Sequence, residues 1–149
     1  MKKNIIRILC VILATVTVGA LFACSNDSSK KLEDIPSGEK LELSEETLKI
    51  EESFSLKKEK NGYVPGADIK IEISGYPKQL SYFDGKITFI WEYDYLNDKG
   101  NYIPAKHEVV VELDAAGNGE YKETLEFSGA RSIKDVELTI EYEGFAVKK

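Results

Sequence analysis

The 149-residue chain has two cysteines, one histidine, one methionine, one tryptophan and four prolines. Each scarcity closes a class of mechanism. Both cysteines, Cys10 and Cys24, fall in the first two dozen residues, so everything beyond Cys24 has neither a disulfide framework nor a thiolate zinc site. His107 is the sole histidine, and one imidazole does not build the multi-histidine sets of catalytic zinc. The patterns G-x-S-x-G and H-E-x-x-H and a glycine-rich phosphate loop are all missing, which removes the nucleophile-elbow, zinc-protease and nucleotide-cradle readings. Nothing in the spacing of serines and aspartates around His107 singles out a triad, and no glycosidase pair stands out among the carboxylates. No catalytic residue is assigned, and neither a cofactor nor a metal ion is expected.

A basic excess is lacking as well. Twenty Lys and Arg face 26 Asp and Glu, for a formal charge of −6. That balance argues against nucleic acid and acidic lipid headgroups as partners, because affinity for phosphates comes from clustered cations. A hydrophobic fraction of 42% and a charged fraction of 31% suit a folded soluble domain. The length leaves no room for a second core.

What is present begins with an address. Lys2, Lys3 and Arg7 open the chain, and an uncharged run follows over residues 8–23, the layout of a secretory signal. An uncleaved anchor is the competing reading, but the run falls short of the roughly 20 apolar residues of a span and contains Thr15, Thr17 and Gly19. Its last residues, Leu21-Phe22-Ala23-Cys24, resemble the lipobox of bacterial lipoprotein precursors: an aliphatic residue, a tolerant position, a small residue, then cysteine. Phe22 is bulkier than that family's usual residue at the tolerant position. The resemblance implies a diacylglyceryl group on the Cys24 sulfur, cleavage before Cys24, and often acylation of the new amino terminus. Two acyl chains hold durably where one holds marginally, each buried methylene contributing about 0.8 kcal/mol. Loss of residues 1–23 removes Lys2, Lys3 and Arg7 and no acid, taking the charge to −9. The expected location is the cell membrane or outer membrane, with the domain outside the cytoplasm, at the cell surface or in the periplasm.

Residues 24–40, rich in Ser, Asp, Lys and Gly with one Pro-Ser-Gly break, read as a flexible tether whose coil dimension is on the order of 20 Å. Residues 41–149 read as the domain. There the apolar period becomes two. Leu48, Ile50, Phe54 and Leu56 share a parity that Glu52 interrupts, which predicts a strand with a bulge or exposed break near Glu51 to Ser53; a helix over residues 44–52 is the competing expectation. Ile69, Ile71 and Ile73 alternate with polar residues, Ile87, Phe89, Trp91, Tyr93 and Tyr95 share one face, and Val109, Val111 and Leu113 follow. Tyr121, Leu125 and Phe127, then Val136, Leu138, Ile140 and Tyr142, complete the pattern. Asn61-Gly62, Pro65-Gly66 and Asn118-Gly119 are turn signals between these runs. About seven short strands predict an all-β, antiparallel β-sandwich of immunoglobulin-like type, with a small closed barrel as the alternative. Trp91 in a central strand resembles the buried tryptophan of immunoglobulin-like domains, whose cysteine pair is missing here.

Candidate binding residues are aromatic. Tyr76, Tyr82 and Phe83 lie in a stretch of weak strand pattern and are expected either to bind a ligand from a loop or to plug one end of the sandwich. Phe89 and Trp91 are expected in the core, whereas Tyr93 and Tyr95 approach a turn and join the candidate binding set. Two acidic turns fail the calcium-loop pattern: counting from Asp94 puts Leu96 and Lys99 at ligand and glycine positions, and counting from Asp114 puts Ala116 and Leu125 at ligand positions. His107, at the start of a strand, reads as a satisfied strand-end residue. The expected function is binding of an envelope protein or glycan by a lipid-anchored sandwich. A structural or assembly subunit of an envelope complex is the alternative, and a hydrolase the least supported.

Overall fold

In the computed structural model the described residues are 3–6, 35–128 and 130–149. They form antiparallel strands and no helix: β1 (Lys3–Ile6), β2 (Lys40–Glu42), β3 (Leu48–Lys57), β4 (Gly66–Gly75), β5 (Leu80–Leu96), β6 (Tyr102–Glu112), β7 (Gly119–Glu126) and β8 (Ser132–Lys148). The smaller sheet has the order β3-β4-β7; in the larger, β5 lies between β6 and β8, and the outer edge of β8 is shared by β1 and β2. This is a β-sandwich. The pairings β3-β4-β7 and β6-β5-β8 match strands A-B-E and C′-C-F of immunoglobulin sandwiches. Trp91, on β5, then occupies strand C, and the place of strand G is filled from the N-terminal side by β2 and β1.

Alternation on β4 and β5 makes the core. Ala67, Ile69, Ile71 and Ile73 of β4 face Ile87, Phe89, Trp91 and Tyr93 of β5, all buried. Phe54 closes the layer from β3, its ring centroid 5.9 Å from Trp91 and 5.7 Å from Tyr93, while Phe127 lies 5.6 Å from Tyr93. Each such ring pair contributes about 0.5–1.5 kcal/mol beyond its area burial. The core therefore holds without a disulfide.

Three expectations need correction. β3 runs unbroken for ten residues, with Glu52 on the same inward parity as Ile50 and Phe54, so there is no bulge. The helix over 44–52, the competing alternative to a strand, is only a turn: Ser44 O accepts from the Thr47 and Leu48 amides, and the strand starts at Leu48. The domain also begins before residue 41. Gly38 donates to Lys148 O and Lys148 donates to Glu39 O, and β2 then pairs with residues 145–147.

Candidate functional site

The sandwich has two distinct ends. At one, the entering chain (Gly38), the C-terminal Lys149 and the β4–β5 connection meet, with Lys149 N donating to Gln79 O and Gly38 N to Lys148 O. The β3–β4, β5–β6 and β7–β8 connections gather at the other, where Val64 N donates to Ala130 O and Arg131 N to Leu96 O. The candidate aromatics are divided between these ends and do not form one platform.

Tyr76 and Tyr82 belong to the terminal end and are 58% and 51% exposed. Tyr82 lies on β5 rather than in a loop, and its ring centroid is 6.4 Å from that of Phe145 on β8. Lys40 Nζ sits 3.8 Å from the Phe145 centroid. Here the entering strand, the first residues of β5 and the last of β8 assemble a small aromatic and cationic patch on the outer face of the larger sheet. Such a patch can stack on a flat apolar group while offering a cation to an oxygen acceptor.

Phe83 and Tyr93 leave the candidate set. Phe83 is 4% exposed and inward, paired with Ala146; a Cβ added to Gly75 or Gly117 would stand less than 3 Å from its ring. It plugs the end of the core, because the bulge between Leu80 and Phe83 resets which side chains of β5 point inward. Tyr93 is 8% exposed, and burial pushes its phenol pKa up, with the neighbouring Tyr95 adding to the shift. Tyr95 is half-buried against the core, opposite Ile103 and Ile133.

The opposite end holds aromatics that sequence reasoning did not select. Tyr102 is exposed with Lys134 Nζ 3.9 Å from its centroid, and Arg131 lies 5.8 Å from the ring of Tyr63. Their signal was weak because each tyrosine and its cation are distant in sequence: Tyr102 and Lys134 meet because β6 and β8 flank β5, and Tyr63 and Arg131 because the β3–β4 and β7–β8 connections gather at one end. Beside them, Glu92, Tyr93, Asp94, Pro104, Ala105, Lys106, Asp135 and Glu137 line a shallow depression of about 340 Å³, to which Tyr93 contributes although its ring is buried. Its floor is the irregularity in β5–β8 pairing between Glu92 and Asp94, where Asp135 adopts φ 51°. Among the described residues no set of three or more His, Cys, Asp or Glu is arranged to hold a metal ion.

His107 is structural in its contacts. Its Nε2 lies 2.9 Å from Glu123 Oε2, which also accepts from the Tyr121 hydroxyl at 2.8 Å. This hydrogen bond raises the Tyr121 pKa, with desolvation and the carboxylate charge adding to it. The cluster joins the two sheets at their β6 and β7 edges. Asp114 likewise serves its own turn, accepting from the amides of Ala116 and Asn118, and the Asn118 bonds chiefly hold its carboxyl below the usual range. Cys24 and the rest of the proposed lipid-attachment segment lie outside the described residues. No protein-family model matches the chain, and no curated protein or solved structure is significantly similar to it.

Proposed function

We propose that the protein is a lipid-anchored component of a bacterial cell envelope whose single β-sandwich binds another envelope molecule, protein or glycan. The observation carrying the anchor is the sequence Leu21-Phe22-Ala23-Cys24 after a basic start and an uncharged run. Consistent with it, residues 25–34, polar except for Leu32, separate that cysteine from Ile35 and Gly38, which are hydrogen-bonded to Lys148 at one end of the sandwich. Such a leash leaves both the opposite end and the sheet edges accessible. Recognition is assigned first to the exposed Tyr76 and Tyr82, whose rings the core does not use.

Mass spectrometry of the N-terminal peptide from membrane-extracted protein tests the anchor. The expected product starts at Cys24 and carries a diacylglyceryl mass on sulfur. An intact Ala23–Cys24 bond with an unmodified thiol overturns it. For recognition, binding to an envelope glycan or peptide array should be lost in Tyr76→Ser and Tyr82→Ser with thermal stability unchanged; retained binding removes this patch. A permanently docked assembly subunit is the second reading, favoured by the short, divided cover along the β8 edge.

A further inference from the structure

β8 is 17 residues long and pairs with β5 from Ser132 to Lys148. Its other edge is covered in two pieces. β2 pairs with residues 145–147, and Leu43 N extends the cover to Gly144 O. β1 covers the next piece, antiparallel, in the register Lys3↔Glu141, Asn4↔Ile140, Ile5↔Thr139 and Ile6↔Leu138. The second piece belongs to the segment that cleavage before Cys24 would remove. Without it the backbone donors and acceptors of residues 138–141 that face outward along the sheet have no strand beside them, and an unpaired edge is a template for another chain.

We propose that the β8 edge over residues 138–141, at the strand-G position of the sandwich, accepts an extended segment of a partner protein that alternates apolar with basic residues. This inference rests on the reading that residues 1–23 are removed. The leader strand β1 shows that an antiparallel segment fits this edge in a defined register. Positions opposite Leu138 and Ile140, each 5% exposed, fall on the core side of the sheet and call for apolar or small side chains. Positions opposite Thr139 and Glu141 fall on the outer side, in a row with Glu137 and Glu143. Cations are favoured there, since opposite charges across strands stabilise and like charges destabilise.

The same row disfavours a second copy of this chain. In an antiparallel β8–β8 pair that keeps Leu138 and Ile140 inward, any centre from residue 138 to 142 sets at least one pair of carboxylates opposite each other among Asp135, Glu137, Glu141 and Glu143. Strand addition by a different, basic partner meets no such opposition. Main-chain hydrogen bonds then supply affinity and the alternating side chains supply choice.

The test uses residues 24–149 with Cys24→Ser, which retains the entire core, and a blocked peptide with the sequence of residues 2–8, KKNIIRI. The expected result is one-to-one binding by fluorescence anisotropy, with slowed hydrogen exchange confined to residues 138–141. A peptide with Glu at the three basic positions should bind at least about tenfold more weakly, and Glu137→Lys with Glu141→Lys should reverse that preference. Full-length chain in detergent, its edge already filled, should not gain protection. Absence of protection at 138–141, indifference to peptide charge, or dimerisation of the unmutated mature chain through β8 overturns the proposal. Its failure is separable from that of the anchor: lipidated Cys24 with no peptide binding removes the acceptor alone, whereas an uncleaved native chain removes the anchor and, because β1 still covers residues 138–141, the acceptor role with it, even where the Cys24→Ser fragment binds.

Discussion

Gly85 of β5 and Gly144 of β8 lie directly opposite each other, so close that neither can carry a side chain. A Cβ on Gly85 would stand 2.1 Å from Glu143 O, and one on Gly144 would stand 2.1 Å from Asp84 O. Gly144 also has φ 124°, which side-chain-bearing residues rarely adopt. At this contact Leu43 and Leu113 donate to Gly144 O and Gly85 O. The two long strands therefore meet β2 and the end of β6 at one point.

Gly85→Ala and Gly144→Ala should each destabilise the domain by about 3 kcal/mol or more, because backbone atoms rather than flexible side chains must move. Gly100→Ala, with φ 78° and open space around it, should cost about 1–2 kcal/mol. Urea denaturation of the three variants measures the difference, and equal losses would mean that the close contact adds nothing to backbone strain.

Glu52 is a carboxylate on the inward face of an edge strand, and burial raises its pKa. A raised carboxyl contributes its stability fully below the unfolded-state pKa, about 4.3, and loses it as pH rises through the folded value. Glu52→Gln should therefore raise Tm at pH 7 by about 2–4 °C and change it little at pH 3. Inward charge also guards an edge against strand pairing, so Glu52→Val should be more stable still but should self-associate in size exclusion.

Glu123 accepts from both His107 and Tyr121. Glu123→Ala should cost about 1–2 kcal/mol in denaturant unfolding, since two half-buried donors lose their acceptor. The Tyr121 phenol should also titrate at lower pH than in the parent, because its principal cause of elevation is gone. A double-mutant cycle with His107→Ala should show coupling of about 0.5 kcal/mol or more; strict additivity would remove the inter-sheet link.

Tyr142 is pushed up to about 12, chiefly by burial and further by the charge of Glu45. Its neutral form contributes stability fully below the unfolded-state pKa, about 10, and that contribution disappears as pH rises through the folded value. Tyr142→Phe should therefore flatten the alkaline limb of stability between pH 10 and 12 without altering the acid limb. An unchanged alkaline limb would exclude this phenol as its source.

Neighbouring residues at the start of β5 should respond oppositely. Phe83→Ala should lose about 3–5 kcal/mol by opening a cavity at the end of the core, while Tyr82→Ala should stay within about 0.5 kcal/mol. Thermal melts of the pair test the assignment of one ring to the core and the other to the surface.

Alternation at Ile69, Ile71 and Ile73 and at Ile87, Phe89 and Trp91 was legible because each successive Cβ reverses face whatever the strand's neighbours are. The turn before β7 was legible only in its place: Asn118-Gly119 marked it, but Gly117 is the glycine that takes φ 81° while Gly119 already opens β7, and Asp114 and Asn118 close the turn between them. Glu52 was misread because a charge inside an apolar run is, by local rules, a break. Only the position of β3 at a sheet edge lets that carboxylate stay half-solvated while pointing inward.

The candidate site was legible in part, for related reasons. Tyr76 and Tyr82 are exposed as a binding role requires, but Phe83 changed sides through a bulge, and Tyr93 is covered by Phe54 of β3 and by Phe127 just past β7. The sequence by itself determined an all-β chain and an acidic charge balance, since both depend on composition or nearest neighbours. Tertiary structure alone decided which aromatic rings remain outside, that Lys40 meets Phe145 and Lys134 meets Tyr102, and that the strand-G position is shared by β2 and β1. Those outcomes depend on which strands become neighbours, and neighbours are chosen by packing a common core from residues far apart in the chain.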